Sequence, residues 1–194
     1  MATIVIDPGH GGTQEVGGSS PNNATGPTGL LEKDVTLQVG RRVADILGAN
    51  GHAVVLTRTK DVNVGLSARA RVSMDNDADV FVSIHFNGFN HQAQGTETIC
   101  DPDHTANSAN LCRRVQASLV AATGLADRNA DEPNGVKVQP LSVLKRVKHP
   151  SRTGCCLTEI SFMDVATEEA RLKNPAYLES IATAIAGGIR SYLN

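Results

Sequence analysis

The sequence predicts an α/β fold in a single domain. Short segments of β-branched and apolar residues alternate with segments of helical periodicity, which is the pattern of a sheet covered by helices. The chain has 194 residues, 40% of them hydrophobic and 20% charged, which is enough for one well-buried core and short for two. No internal repeat, low-complexity tract or linker divides it.

The first half of the chain predicts three strands and two helices. The first strand is β-branched and apolar, and it ends in a turn of proline and glycine. Residues 13–30 then form a loop of small and polar residues, which is long enough to suggest function or mobility and could form one wall of a site. The first helix stops at Asn50-Gly51. The predicted strands are residues 3–7, 52–57 and 79–85, and the predicted helices are residues 32–49 and 66–74.

The second half continues the alternation with a weaker pattern. Leu111, Val115 and Leu119 share one face of a predicted helix, and apolar residues between 178 and 189 mark a closing amphipathic helix. Residues 124–140 are predicted to be a loop. The predicted strands are residues 95–100, 143–144 and 154–160, and the predicted helices are residues 106–122 and 177–193.

Composition excludes several classes of partner. A formal net charge of -2 and an aromatic content of 3% supply neither the basic surface nor the stacking platforms of nucleic-acid binding proteins. No early segment resembles an export signal, and no apolar stretch reaches the roughly 18 residues of a membrane span. We therefore expect a soluble, unprocessed chain with no nucleic-acid partner.

The four cysteines show no metal-binding or redox spacing. None of them forms a C-x-x-C pair, and neighbours such as Cys155 and Cys156 point to opposite faces of a strand. Buried free thiols are the expected state. A disulfide between Cys100 and Cys112 remains an alternative.

Two histidines and two glutamates stand where strands end or helices begin. His10 follows the first strand, Glu32 opens the first helix, His85 ends another strand and Glu159 lies at the end of a late one. In α/β proteins such positions carry the chemistry. Two neutral imidazoles and one carboxylate are the usual protein ligands of a catalytic zinc, and a second carboxylate nearby can act as the base. The set predicts a metal-dependent hydrolase.

Simpler roles exist for each of these residues. A lone histidine is more often a surface or hydrogen-bonded residue than a ligand, but His10 and His85 share one rim if their strands are parallel neighbours. Glu32 could serve only the helix dipole. Asp7 could also bind a metal ion, but it belongs to an ordinary turn and is expected instead to orient His10 without binding the metal itself. The remaining histidines are interpreted as structural or surface residues: His52, His91, His104 and His149.

Six short motifs follow one another along the chain. They are Asp7-Pro-Gly-His-Gly-Gly, Glu32-Lys-Asp-Val-Thr-Leu, Leu56-Thr-Arg-Thr-Lys-Asp, Ser83-Ile-His-Phe-Asn, Gly95-Thr-Glu-Thr and Leu157-Thr-Glu-Ile-Ser-Phe. This ordered set resembles the zinc-dependent N-acetylmuramoyl-L-alanine amidases of the amidase-3 type. The resemblance covers nearly the whole chain, so we expect residues 1–194 to form one amidase-3-like catalytic domain.

The resemblance implies a site, a fold and a substrate. It implies one zinc ion held by His10, Glu32 and His85, with Glu159 as the catalytic carboxylate. It implies a mostly parallel, twisted sheet of about six strands flanked by helices. The implied substrate is bacterial peptidoglycan, cut at the amide between the lactyl group of N-acetylmuramic acid and L-alanine.

Two further polar residues stand close to the motif histidine and glutamate. Asn87 and Glu97 could line the substrate cleft or brace the ligands, and a purely structural role is an equal alternative. Ser161 and Val165 replace the glycine and asparagine that relatives commonly have after the catalytic glutamate. This change is expected to affect substrate specificity more than metal binding.

The chain departs from the family pattern at two other places. Ser73-Met74 replaces the usual Ala-Asn. The stretch Asn129–Asn134 separates Asp127-Arg128 from Gly135-Val136-Lys137, which together resemble one uninterrupted family motif. This insertion could remodel the cleft wall.

Two other functions compete with the amidase. Zinc with two histidines and a glutamate also occurs in peptidases that act on free peptides, and a non-catalytic wall-binding module could retain the ligands alone. Glu159 argues against the module. The resemblance implies action on the cell wall, in the periplasm or outside the cell. Without an export signal, that suggests a phage endolysin or a domain separated from its signal. Protein partners, oligomeric state and preferred wall type stay open.

Overall fold

The chain alternates strands and helices, as the sequence predicts, and the computed structural model describes all 194 residues. The strands are β1 (Thr3–Pro8), β2 (Ala53–Leu56), β3 (Val80–Asn87), β4 (Glu97–Cys100), β5 (Lys137–Val138) and β6 (Gly154–Phe162). The α-helices are α1 (Glu32–Ala49), α2 (Leu66–Asp75), α3 (Ala106–Thr123), α4 (Ala166–Leu172) and α5 (Pro175–Leu193). Short 3₁₀ turns occupy Pro133–Gly135, Ser142–Leu144 and Arg146–Lys148.

The six strands form one sheet in the order β2-β1-β3-β6-β4-β5. Every neighbouring pair is parallel except β4 and β6, which run antiparallel. The predicted mostly parallel sheet is therefore confirmed. Since β1, β3 and β6 are parallel neighbours, their carboxyl ends meet at one edge of the sheet.

One face of the sheet is covered by α1, α3 and α5 and holds the larger core. Alternate residues of β3, namely Val80, Val82 and Ile84, point into it. The helical stripe of α1 that begins at Val35 and ends at Leu47 packs against them. Burying each such aliphatic side chain stabilises the fold by about 1.5–3 kcal/mol.

The opposite face has a smaller core and less cover. Phe81 and Leu157 pack there with residues of the 3₁₀ turn at Ser142–Leu144, and α2 covers only part of this face. Towards the carboxyl edge the side chains of β3 on this face become polar, from Ser83 to His85. The thinner cover leaves room for a cleft at that edge.

Capping residues explain where two of the helices begin. Thr105 accepts a hydrogen bond from the backbone N–H of Ser108 at the start of α3, and Asn174 does the same for Ala176 at the start of α5. Helix α3 ends at Gly124, whose φ of 67° is readily adopted by glycine. None of the helices combines the length and apolar composition needed to cross a lipid bilayer.

The secondary structure differs from the prediction at four places. Val143 and Leu144 lie in a 3₁₀ turn rather than a strand, because their side chains fill the smaller core while their backbone joins no sheet. The predicted loop at 124–140 contains β5, which was too short to show a pattern. Helix α4 was not predicted. Strand β6 continues to Phe162, so Glu159 lies inside the strand.

The cysteine prediction is confirmed. All four thiols are free and buried, so the alternative disulfide between Cys100 and Cys112 is not formed. Cys155 belongs to the smaller core and Cys156 to the larger one, on opposite faces of β6.

Helices α3 and α5 approach so closely that a glycine is required between them. A Cβ atom at Gly188 would lie 2.7 Å from Cα of Val115, which is backbone and cannot rotate away. At the adjacent Gly187, a Cβ atom would meet nothing within 4 Å. We expect Gly188→Ala to lower the free energy of unfolding by about 1–3 kcal/mol through overpacking.

The matched control is Gly187→Ala, which should be neutral or raise the free energy of unfolding by up to about 1 kcal/mol through helix propensity. Urea denaturation of both variants measures the two values. Equal stabilities would contradict the close contact between α3 and α5.

Candidate active site

His10 stands on a tight turn directly after β1. Its backbone has a φ of 60°, a left-handed conformation that is uncommon outside glycine. The ring Nδ1 lies 3.0 Å from the carbonyl oxygen of Ser20 and so carries the proton. The other nitrogen, Nε2, is free to act as a ligand and lies 3.2 Å from Oε1 of Glu32.

Glu32 is the first residue of α1, and its carboxylate does more than interact with the helix dipole, because it is buried and accepts hydrogen bonds from other segments. Only 1% of the residue is exposed. Its Oε2 accepts a hydrogen bond from the backbone N–H of Ala24, and its Oε1 accepts one from that of Phe86. Burial raises the pKa of Glu32, but the rings of His10 and His85, which donate to Glu32 in their protonated, cationic form, outweigh it and lower that pKa to about 2.

His85 completes the group from β3. Its Nδ1 lies 3.0 Å from Oε1 of Glu32, and its ring centroid lies 4.8 Å from that of His10. The predicted common rim is confirmed. Gly9 makes this approach possible, because a Cβ atom there would lie 2.3 Å from the His85 ring.

The three side chains fit a zinc ion. One ligand atom from each of His10, Glu32 and His85 lies within 4.8 Å of the others. Tetrahedral zinc with bonds of about 2.0–2.1 Å separates its ligand atoms by about 3.3 Å. The contacts of 3.0 and 3.2 Å from the imidazole nitrogens to Glu32 approach that spacing. Two imidazoles and a carboxylate are also the donor types that zinc takes in catalytic sites.

Glu159 lies beside this group on β6, opposite His85 in the strand register. Its Oε2 is buried without a hydrogen-bond partner. Burial raises the pKa of Glu159 well above the usual range of a glutamate, and the charges of Glu32 and Glu97 add to the effect. A cation among these carboxylates would relieve their repulsion, which is further support for the fit of a metal ion.

Asn87 follows His85 by two residues on β3, whereas Glu97 lies on β4, on the far side of Glu159 from the histidines. The amide of Asn87 donates to Oε1 of Glu97 at 3.3 Å. Oε2 of Glu97 accepts from Nε of Arg128 and Nζ of Lys137, each at 2.7 Å. Their hydrogen bonds therefore do not brace the three ligand side chains.

Arg128 and Lys137 were not predicted as site residues, although the sequence contained a signal for them. They belong to the two halves of the motif that Asn129–Asn134 separates. The structure brings both halves together on the carboxylate of Glu97. The insertion therefore does not keep Arg128 and Lys137 apart.

The prediction for Asp7 is wrong in its detail. Asp7 does not touch the ring of His10, because its oxygens accept from Thr57, Ser83 and Arg69. Arg69 in turn donates to the carbonyl oxygens of Pro8 and His10, so Asp7 acts on the backbone of the turn through an arginine.

A second buried arginine holds the same turn. Arg58 donates to the carbonyl oxygens of Pro8, Gly9 and Lys33 and is 3% exposed. Burial, followed by repulsion from Arg69, lowers the pKa of Arg58 to about 10, so it remains a cation at neutral pH. The guanidinium groups of Arg58 and Arg69 thus supply hydrogen bonds to the inward-pointing carbonyl groups of the strained turn.

The loop before Glu32 is held by a residue from near the end of the chain. Glu169 of α4 is buried and accepts from the backbone N–H groups of Thr28 and Leu30 at 3.0 and 3.1 Å. The hydroxyl of Thr28 also donates to it, at 2.8 Å. Glu169 therefore fixes the segment that leads directly into Glu32.

The remaining predicted positions stay outside the site. Ser161 is buried with a hydroxyl that has no partner, and Val165 precedes α4 as an apolar contact. Of the other histidines, three form hydrogen bonds with backbone carbonyl oxygens, and His52 lies at the opposite edge of the sheet, before β2. The three with these bonds are His91, His104 and His149.

An α/β domain that gathers two histidines and two glutamates at the carboxyl edge of its sheet has the architecture of a hydrolase able to hold a metal ion. The model of the N-acetylmuramoyl-L-alanine amidase family matches residues 4–191. The chain therefore belongs to the N-acetylmuramoyl-L-alanine amidases.

Individual relatives agree with this assignment. The chain is 36% identical over 192 residues to the N-acetylmuramoyl-L-alanine amidase LytC of Bacillus subtilis, spanning 98% of this chain and 35% of LytC. It is 33% identical to an endolysin of Bacillus phage SPP1, across the whole chain and 67% of the endolysin. The chain thus spans about a third of the length of LytC.

Solved structures show the same fold. An N-acetylmuramoyl-L-alanine amidase from Clostridium difficile 630 superposes with a TM-score of 0.85 at 30% identity, covering 99% of this chain and 96% of that one. The catalytic domain of the amidase CwlV from Bacillus (Paenibacillus) polymyxa also gives 0.85 at 30% identity, covering 100% and 98%.

We expect Asp7→Asn to lower the free energy of unfolding by about 3–5 kcal/mol at neutral pH, because it leaves buried Arg69 without a counter-charge. Burial opposes ionisation of Asp7, but the charge of Arg69 and the hydrogen bonds from Thr57, Ser83 and Arg69 together outweigh it, so the pKa of Asp7 is lowered. The stabilisation is therefore fully present above the ordinary aspartate pKa of about 3.9 and is lost as the pH falls through the lower folded-state pKa.

Urea denaturation at several pH values measures this difference. The control is Asp75→Asn, which removes an exposed pair with Arg71 and should change the free energy of unfolding by less than about 0.5 kcal/mol. An Asp7→Asn protein as stable as the wild type at pH 7 would contradict the role given to the pair.

Proposed function

We propose that residues 1–194 form a zinc-dependent amidase domain that hydrolyses the bond between N-acetylmuramic acid and L-alanine in bacterial peptidoglycan. One observation carries the proposal: the ligand atoms of His10, Glu32 and His85 converge within 4.8 Å, and the unpartnered carboxylate of Glu159 lies on the neighbouring strand. Family membership supplies the choice of bond.

Three residues would hold one zinc ion. Nε2 of His10, Nδ1 of His85 and a carboxylate oxygen of Glu32 would be the ligands, and the carbonyl of Ser20 keeps His10 in the tautomer that exposes Nε2. When bound, zinc would polarise the scissile carbonyl and lower the pKa of a water molecule from about 15.7 to about 7.

Glu159 would move the proton. As a base it takes a proton from the attacking water, and as an acid it delivers that proton to the leaving nitrogen of alanine. Its partly buried setting suits both steps, because burial raises its pKa while a cation beside it lowers that pKa again. Oε2 has no hydrogen-bond partner within the protein, so no internal hydrogen bond would have to break before it accepts the proton.

The setting of the reaction follows from the substrate. Peptidoglycan lies outside the cytoplasmic membrane, so the domain would act in the periplasm or outside the cell. Similarity to both LytC and a phage endolysin supports action on the wall and is compatible with a bacterial or a phage source.

Mass spectrometry tests the reaction directly. Purified peptidoglycan and a defined muramyl peptide are incubated with the protein, with and without a chelator. Release of a peptide with N-terminal L-alanine, abolished by the chelator, is the expected result. A cut within the peptide would identify a zinc peptidase instead, and zinc binding without any cleavage would identify a wall-binding module.

Glu159→Gln should lower kcat by about 10² to 10⁴-fold while the fold and the zinc content stay unchanged, because only the proton transfer is lost. Turnover is measured on the muramyl peptide, and zinc by elemental analysis. The control is Glu179→Gln, an exposed residue paired with Arg42, which should keep wild-type activity. Near-normal turnover by Glu159→Gln would remove Glu159 from the mechanism.

His10→Ala and His85→Ala should each lose bound zinc, because two protein ligands rarely suffice for a catalytic site. Zinc content after gel filtration in the presence of a weak chelator measures the loss. His52→Ala, at the opposite edge of the sheet, should retain one zinc per chain. Unchanged zinc in both ligand variants would show that the metal lies elsewhere.

A further inference from the structure

A row of polar side chains crosses four adjacent strands on the less covered face of the sheet. His85 of β3 pairs in register with Glu159 of β6, which in turn pairs with Glu97 of β4. Residues opposite each other in neighbouring strands project to the same side. Lys137 of β5 then reaches back to the carboxylate of Glu97. The row leads from the metal ligands across Glu159 to a pair of cations.

The two cations at the end of the row are held in fixed positions. Glu97 is 4% exposed and binds both Arg128 and Lys137 through the same oxygen. The guanidinium of Arg128 also lies 5.0 Å from the ring centre of Phe162. Its stem packs against Gly95, where a Cβ atom would lie 2.6 Å from Cγ of Arg128. The cations are therefore positioned by buried contacts.

Arg128 and Lys137 have N–H donors and positive charge that Glu97 does not use. Glu97 contributes one negative charge, and Arg128 and Lys137 contribute two positive charges, so the three side chains have a net charge of +1. Lys137 uses one of its three N–H groups on Glu97, and Arg128 uses Nε there and makes one long contact with the carbonyl of Gln94 at 3.4 Å. About 39% of the Arg128 side chain and 19% of the Lys137 side chain are exposed. The free N–H groups match a carboxylate of the substrate.

The distance between Glu159 and the two cations, Arg128 and Lys137, determines which group of the substrate the cations contact. Neighbouring strands lie about 4.8 Å apart, so Lys137 of β5 and Arg128, which is bound to Glu97 of β4, are about 5–10 Å from the proton-transfer site. One extended residue covers up to about 3.6 Å. A carboxylate one or two residues beyond the scissile amide therefore falls within reach of the pair.

We propose that Arg128 and Lys137 form a subsite for the free carboxylate of the second residue of the stem peptide. This inference rests on the proposed amidase function. In the stem peptide that residue is D-glutamate joined through its side chain, so its α-carboxyl group is either free or amidated. The subsite selects the free form, because an amide has no charge to offer the two cations.

The experiment compares two muramyl tripeptides that differ only in this α-carboxyl group, free in one and amidated in the other. We measure kcat/KM for each with the zinc-loaded protein. The wild type should prefer the free carboxylate by on the order of 10-fold, the effect of a charge-assisted hydrogen bond. Added salt should reduce the preference, because Arg128 is partly exposed.

Lys137→Gln should bring the ratio of the two kcat/KM values close to one. Glu97 still pairs with Arg128 in that variant, so the fold should be retained. Arg128→Gln provides a second test of the same ratio, with zinc content and thermal unfolding measured on both. The control is Arg190→Gln, an exposed residue of α5 on the other face of the sheet, which should preserve the wild-type ratio.

Two results would overturn the subsite while leaving the amidase intact. One is equal cleavage of both tripeptides by the wild type, and the other is a preference that survives in Lys137→Gln and Arg128→Gln. Cleavage of neither tripeptide by the zinc-loaded wild type would instead contradict the proposed function, and the subsite with it.

Discussion

The geometry of the site depends on the contacts that the buried carboxylate of Glu32 makes. This carboxylate is almost fully buried, and an ionised group is costly to bury unless charged or hydrogen-bonding partners surround it. Those partners come from the loop at Ala24, from the turn carrying His10 and from β3 at His85 and Phe86. Satisfying one carboxylate therefore brings together segments that are far apart in the sequence, and it sets the spacing of the two imidazoles.

Much of this arrangement could be predicted from the sequence, because it follows from strand and helix ends. The apolar runs before His10 and His85 identify two strands, and parallel neighbours must present their carboxyl ends at one edge. The four-residue spacing of α1 likewise places Glu32 at a helix start. Glu159 pairs with His85 in the strand register, and its strand continues for three residues beyond it, to Phe162.

The parts that could not be predicted depend on long side chains that reach across the fold. The pattern around Asp7 indicates a turn, but nothing in it shows that Arg69 crosses from α2 to meet that carboxylate. Lys137 lies in a strand of two residues, too short for any periodicity, and its role appears only once it meets Glu97. The apolar character of Val143 predicts a strand, but it lies in a 3₁₀ turn, from which an apolar side chain fills a core equally well. Periodicity reports which face is buried, whereas these contacts depend on tertiary geometry.

The anchoring of the Thr28–Leu30 segment by Glu169 has a consequence for the order of assembly. The anchor and its partners are separated by 139 to 141 residues, so this contact closes late and depends on the folding of almost the whole domain. His10, Glu32 and His85 all precede α4 in the sequence, so they are synthesised before the residue that fixes the segment leading into Glu32. The final geometry of the three side chains therefore depends on an anchoring contact from α4, a segment that none of the three belongs to.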